Sequence, residues 1–232
     1  MTILHVTDFH FHRPWFEWLR HDAPAHDLVV MSGDLLDLSI ATPQPRQIAW
    51  VSDWLNDFPR PICVCSGNHD LEWDSETDRW MPAYWLRGIV NPLVWTDGQR
   101  IALNGISVLN LGATTHPKGG DAEVWVVHAA PSRTLVATRS DGADGGDPDL
   151  VATARHFTPR LVLSGHVHDP LSWREHRDGT LFLNPGRNPN APFPNHILVR
   201  TDSLECERIV APHRAESSVA SPPEHAGAPA TA

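Results

Sequence analysis

Five short clusters in this chain carry side chains of the kind that ligate divalent cations. They are Asp8-Phe9-His10, Gly33-Asp34 with Asp37 three residues on, Gly67-Asn68-His69-Asp70, the single His128, and Gly165-His166-Val167-His168. Carboxylates, imidazoles and an amide oxygen are present and thiolates are not, a donor set that suits Mn²⁺, Fe or Zn²⁺. Any one Asp or His at a strand end is more often a turn residue or a helix cap. Five such clusters at one edge are not accounted for by capping. The first lies in ILHVTDFHFHRP, where Asp8, His10 and His12 alternate, so that on an extended strand all three face one way.

The clusters need a frame to bring them together, and each follows a short apolar run with the length of a buried strand. These runs cover 2–7, 27–32, 61–65, 123–127 and 160–164, with another at 106–111. Helical patterns near 14–21 and 45–57 separate the first three, giving the β-α-β-α-β rhythm of a parallel sheet. Ligands of open α/β sheets bind at the carboxyl ends of the strands, so the five clusters converge on one crevice. Gly33, Gly67 and Gly165 stand just before candidate ligands, where a sharp turn or a close backbone approach is easiest without Cβ. Residues 93–110 are broken by the turn signals Asp97-Gly98 and Asn104-Gly105, and TLFLNPG, NHILVRT and LECERIV are short strands with little helix between them. The fold class expected is α/β with a substantial antiparallel share, as two sheets packed together.

At 232 residues the chain suits one catalytic domain, expected over 1–210, followed by a Pro/Ala/Ser-rich tail at 211–232 with too little apolar surface to fold. The Gly- and Asp-rich run at 139–149 is also expected to be loose. No apolar stretch approaches the ~20 residues of a membrane span, and the first residues lack the features of a signal peptide. Cys63, Cys65 and Cys206 cannot all pair, which implies a reducing compartment, and the expected location is cytoplasmic. A net charge of −10 argues against a broad face for duplex nucleic acid.

Asp8-x-His10, Gly33-Asp34, Gly67-Asn68-His69-Asp70, His128 and Gly165-His166-x-His168, in that order, resemble the five signature motifs of the calcineurin-like metallophosphoesterases. The resemblance spans residues 1–200 and implies a four-layer α/β/β/α sandwich of two mixed β-sheets flanked by helices, with a binuclear metal centre at one edge. It assigns Asp8, His10, Asp34 and His168 to a first ion and Asp34, Asn68, His128 and His166 to a second, with Asp34 bridging. The implied cofactor is two divalent metal ions, Mn favoured with Fe and Zn as alternatives. Cations about 3.5–4 Å apart clamp the attacking and leaving oxygens of an in-line displacement and lower the pKa of a bridging water toward ~7, which yields the hydroxide that attacks phosphorus. His69 is implied as the general acid for the leaving alkoxide, with Asp37 orienting it and holding it protonated.

One departure narrows the substrate. Protein Ser/Thr phosphatases of the superfamily follow the second aspartate with Arg-Gly, whereas Leu38-Ser39 follow Asp37 here, which disfavours a phosphoprotein substrate. The nearer resemblance is to small bacterial phosphoesterases, many of them phosphodiesterases. Their Asn-Pro-Gly turn is present in LNPGRNP, with Arg187 where many carry serine, and that guanidinium is a candidate contact for a substrate phosphate. His12 is a candidate for the substrate entrance. The expected substrate is a small phosphorylated molecule, a nucleotide included. A phosphomonoesterase or a nuclease acting on nucleic-acid ends is the alternative. A non-catalytic scaffold of the same fold is the remote one, opposed by seven filled ligand positions plus His69. Trp73, Trp80, Tyr84 and Trp85 are spaced as a helix packing on a core, with a stacking wall for a nucleobase as the alternative. His116 and His196 match no motif.

Overall fold

The computed structural model describes residues 1–114 and 120–212. The chain opens with β1 (Thr2–Val6), α1 (Arg13–His21), β2 (Leu28–Ser32), α2 (Gln44–Asn56) and β3 (Ile62–Cys65). A small hairpin, β4 (Glu72–Asp74) and β5 (Arg79–Met81), leads to β6 (Val94–Trp95), β7 (Arg100–Leu103), β8 (Ile106–Leu111) and β9 (Val124–Val127). Then come α3 (Asp149–Phe157), β10 (Leu161–Leu163), β11 (Arg174–Arg177), β12 (Thr180–Leu183), β13 (His196–Arg200) and β14 (Cys206–Ile209).

Two six-stranded sheets result, ordered β14-β13-β1-β2-β3-β6 and β11-β12-β10-β9-β8-β7. Each has a parallel centre, β1-β2-β3-β6 in one and β12-β10-β9-β8 in the other. Antiparallel strands flank both centres. Side-chain alternation sorts the strands into three apolar layers. Leu4, Val6, Val29, Met31, Ile62 and Val64 face α1 and α2. Their neighbours Ile3, Leu28, Val30, Cys63 and Cys65 face the second sheet, meeting Val108, Val124, Val126, Leu161 and Leu163. On that sheet's far side, Leu109, Trp125, Val127, Val162 and Phe182 meet Leu150 and Ala154 of α3. Three buried layers between four tiers of structure make the α/β/β/α sandwich, and every strand that precedes a cluster ends at the same edge.

Two expectations are corrected. The run 139–149 is tied down, with Gly145 N–H donating to Ala137 O at 2.9 Å and Asp147 N–H to Ala130 O at 2.8 Å. Helix α3 follows directly, a short DLVATARHF segment with Asp149 in its first turn and Arg155 and His156 in its last, which favours the macrodipole. The tryptophan-rich segment forms the β4–β5 hairpin rather than a helix. Trp73 and Trp80 face each other across it, ring centroids 5.2 Å apart, and stand 47% and 49% exposed. Asp74 closes its turn by accepting from Glu76 N–H and Thr77 Oγ1, chemistry that outweighs the helical spacing. His116 and residues 213–232 of the tail lie outside the described residues. Among the described residues no helix is long and apolar enough to cross a membrane.

Candidate metal centre

The strand ends do not simply run on in extended form. β1 stops at Val6, and Asp8, His10 and Phe11 take left-handed φ values of 55°, 43° and 53°. Asp34 and His166 do the same, at 52° and 66°. Each such residue costs roughly 1–3 kcal/mol and persists only where its surroundings over-determine it. Here the two sharp turns brace each other: Asp8 N–H donates to Gly33 O, His10 N–H to Asp34 O and Phe11 N–H to Leu35 O, at 3.1, 2.9 and 2.8 Å. The three glycines admit this packing. A Cβ on Gly33 would stand 2.4 Å from His128 Nδ1, one on Gly67 would stand 2.2 Å from Asp34 Oδ1, and one on Gly165 would stand 1.7 Å from Thr7 Oγ1. Gly33 also has φ +92°, so it serves as both turn and gap.

Two groups of donor atoms form between the sheets' ends. In the first, His10 Nε2 lies 3.0 Å from His168 Nε2 and 3.8 Å from Asp8 Oδ1, and His168 Nε2 lies 3.4 Å from Asp8 Oδ1. In the second, His128 Nε2 lies 3.3 Å from Asp34 Oδ2, 3.1 Å from Asn68 Oδ1 and 3.2 Å from His166 Nδ1. His10 Nε2 is 3.6 Å from Asp34 Oδ2, so Asp34 faces both groups. Donors sharing an ion with bonds of about 2.0–2.2 Å stand roughly 3.0–3.6 Å apart, and all these spacings but the slightly longer His10–Asp8 one fit. The chemistry fits as well: carboxylate and imidazole donors from both sheets converge on the same two points. The Asp8, His10 and His168 set and the Asp34, His128 and His166 set could each hold a metal ion.

The electrostatics carry the same message. Burial opposes ionisation of Asp8 and Asp34, yet the facing imidazoles outweigh it and hold both carboxyls below their usual range. Burial also opposes charge on His128, but Asp34 and Asp8 overcome it and raise that imidazole to about 10. A proton there stands where a cation belongs. His128 Nδ1 meets Ser32 O at 2.9 Å, which places the N–H on that side of the neutral ring and leaves Nε2 as the donor lone pair. At His10 burial dominates and lowers the imidazole to about 4.

All seven expected ligand residues therefore meet at one edge. His69 joins them, its ring centroid 4.6 Å from that of His10, and its N–H donates to Asp34 Oδ1 at 2.9 Å. Asp37 faces His69 at ion-pair distance, its Oδ1 3.9 Å from His69 Nδ1, and the same oxygen accepts from Ser39 N–H and Oγ. The backbone N–H of Leu38 donates to His69 Nδ1 at 3.2 Å and orients the ring. Arg187 reaches the edge, with Nε donating to Asp8 O at 2.8 Å and its guanidinium 5.7 Å from the centre of the Trp15 ring. His12 precedes α1 instead of continuing β1, and its ring packs against that of Trp15, 4.9 Å between centroids. A cleft of about 150 Å³, lined by Asn68, His128, His166, Gly112 and Ala113 among others, opens beside the second group.

Sequence reasoning missed the residues that hold the ligands in place. Asp70, fully buried, accepts from the N–H groups of Leu35, Leu36 and Gly67 at 3.2, 2.9 and 2.8 Å, tying the Asp34 turn to the Asn68 turn. Burial and the nearby Asp34 push its carboxyl up to about 7. Asn184 spreads one amide over three carbonyls, Val136, Gly165 and Val167, and so fixes the loop around His166. Asp97, read as a turn residue, accepts from Ser66 N–H and Oγ at the foot of the Gly67 turn. An Asp inside the Gly67–Asp70 motif and an Asn before Pro-Gly were the available signals.

A two-sheet sandwich whose strand ends gather paired carboxylate and imidazole sets is the frame of a metal-dependent hydrolase. The family model of the calcineurin-like phosphoesterases matches residues 1–170, and the chain belongs to that family. It is a phosphoric ester hydrolase of the metallophosphoesterase type. A crystal structure 12% identical to this chain covers 90% of it and 98% of its own length, with a TM-score of 0.60. A structure described as a novel archaeal phosphodiesterase is 16% identical, covers 90% of this chain and 99% of its own, and has a TM-score of 0.51. Both share the fold. No curated protein matches the chain.

Proposed function

We propose that this hydrolase is a binuclear, metal-dependent phosphodiesterase acting on a small substrate. The observation that carries the reading is the meeting of donors from both sheets, with His10 Nε2 and His168 Nε2 3.0 Å apart although 158 residues separate them. In this reading Asp8, His10, Asp34 and His168 hold one divalent ion and Asp34, Asn68, His128 and His166 the other. Such ions, Mn²⁺ favoured with Fe or Zn²⁺ as alternatives, supply Lewis acidity toward the phosphoryl group and acidify water toward neutral pH.

The chain's own residues supply the rest. With Leu38 N–H bonded to Nδ1, the neutral His69 ring keeps its proton on Nε2, the atom left to protonate a departing oxygen. Arg187 is anchored through Nε and offers its terminal nitrogens to a phosphate oxygen. His12, beside it on Trp15, borders the same approach. A phosphodiester brings one negative charge and a monoester two, and a single guanidinium in a chain of net charge −10 suits the diester. Three unpaired thiols, two of them buried, accord with a cytoplasmic setting.

The test separates leaving groups. The chain reconstituted with Mn²⁺ is expected to hydrolyse bis(p-nitrophenyl) phosphate faster than p-nitrophenyl phosphate. His69→Ala is expected to slow release of an alkyl alcohol by about 10²-fold or more, and release of p-nitrophenolate, which departs without a proton, by much less. Preference for the monoester, or equal slowing of both leaving groups, would overturn the reading.

A further inference from the structure

Away from the metal centre, a pocket of about 120 Å³ lies between the loop after β9, helix α3 and the β11–β12 hairpin. Arg133, Arg155 and Arg177 line it, against the single carboxylate of Asp178. Its deeper wall includes Thr134, Thr180 and Phe182, all buried. In a chain of net charge −10, three guanidinium groups around so small a space are out of balance with their surroundings.

Among the described residues, the fold pairs two of the three and leaves one without a carboxylate. Arg177 is fixed, with Nη1 donating to Arg133 O at 2.7 Å and Nη2 paired with Glu175. Arg155 makes a long contact of 3.7 Å with Asp178, both groups being mostly exposed. The guanidinium of Arg133 has no hydrogen bond or ion pair among the described residues. Its backbone is nevertheless held left-handed, at φ 65°, by donation of its N–H to Asp144 Oδ2 at 3.1 Å. The left-handed backbone thus presents the exposed Arg133 guanidinium beside the two paired arginines, a local excess of positive charge at the mouth of the pocket.

We propose that this pocket binds a phosphate group at a site separate from the hydrolytic centre. Arg133 and Arg155 each offer a fork of N–H donors from a different element, while Arg177, whose Nη groups are engaged, adds charge behind them. A tetrahedral phosphate presents acceptor oxygens on every side, and the hydroxyls of Ser132 and of Thr180 in the wall are further donors. The group is either inorganic phosphate or the phosphate of a nucleotide, since both present the same oxygens.

The experiment uses the full chain stripped of metal by chelation, so that no cation at the hydrolytic centre competes for the probe. Equilibrium dialysis at low ionic strength measures radiolabelled inorganic phosphate, with AMP and acetate as competitors. One equivalent of phosphate per chain is expected, weakened about tenfold or more by Arg133→Gln and by Arg155→Gln, and unchanged by Arg187→Gln. Thermal melting confirms that each variant is folded. Displacement by AMP supports the site, and whichever of the two binds tighter names the source. Binding that survives both arginine variants, or that is lost with Arg187→Gln, overturns the proposal, as does equal competition by acetate. Diester hydrolysis by the metal-loaded Arg133→Gln and Arg155→Gln chains reads the hydrolytic centre separately, so the two proposals fail independently.

Discussion

The two halves of the donor cluster at the sheet edge use the same side-chain types and hold them differently. Around Asp34, the His128 side chain is 4% exposed and its Nδ1 is locked to Ser32 O. Around Asp8, the His168 side chain is 42% exposed, and its ring is held through Nε2 alone, which meets His10 and Asp8. One half is an anchor whose donor direction is set before any ion arrives. The other is open to solvent and to whatever binds there. The contrast separates retention from access: a preset donor loses little freedom on binding, and an exposed one keeps a coordination position within reach of substrate.

Asp34 belongs to both halves, and its removal is the harshest test of the contrast. Asp34→Asn keeps the side chain's shape but withdraws the charge facing His10 and His128, and hydrolysis is expected to fall about 10³-fold, read as kcat/KM with metal in excess. If activity holds within a few-fold, neither half depends on the shared carboxylate. Next in size is the pair His128→Ala and His168→Ala. Each is expected to weaken one ion by about 10- to 100-fold while the other stays bound, with the tighter equivalent lost in the first variant and the weaker in the second. Metal content after gel filtration reads this directly, and identical losses would erase the difference between anchor and open half.

The smallest effect is on pH. His128, raised to about 10 without a cation, must release its proton to bind one, so affinity at the anchor rises with pH up to that value, by about tenfold per unit. His10, lowered to about 4, is already neutral above that pH and imposes no such slope. Calorimetric titration of Mn²⁺ across neutral pH should therefore show a steep site and a shallower one. Two equal slopes would count against the asymmetry.

Much of this was legible in the residues. The strands before the clusters read as short apolar runs and lie within a residue or two of their expected bounds, because burial on both faces leaves a near-continuous apolar signature. The ligand residues were legible because their order and chemistry are unusual at strand ends. What could not be read were groups whose role is to hold something else. Asp70 and Asn184 act by accepting from or donating to distant backbone, and nothing local in a sequence marks which carbonyls an amide will find. Asp37 does face His69, but nothing in the motif marked its neighbour Ser39 as a donor to the same oxygen. Helix α3 is short, with two buried apolar residues, too few for a periodic pattern to stand out after a Gly/Asp-rich run.

The pairing of β1 with β13, in which Thr2 faces Arg200, gives the centre a timetable. The first strand carries Asp8 and His10 but has its antiparallel neighbour nearly two hundred residues later, and Arg187 reaches back to Asp8 from 179 positions away. During synthesis the nascent chain exposes its earliest metal donors long before the ribosome has delivered the segments that enclose them. Completion of the edge thus waits on β13, and a chain stopped before that strand would already carry all seven donors, the last of them His168, but lack the strand that pairs with β1.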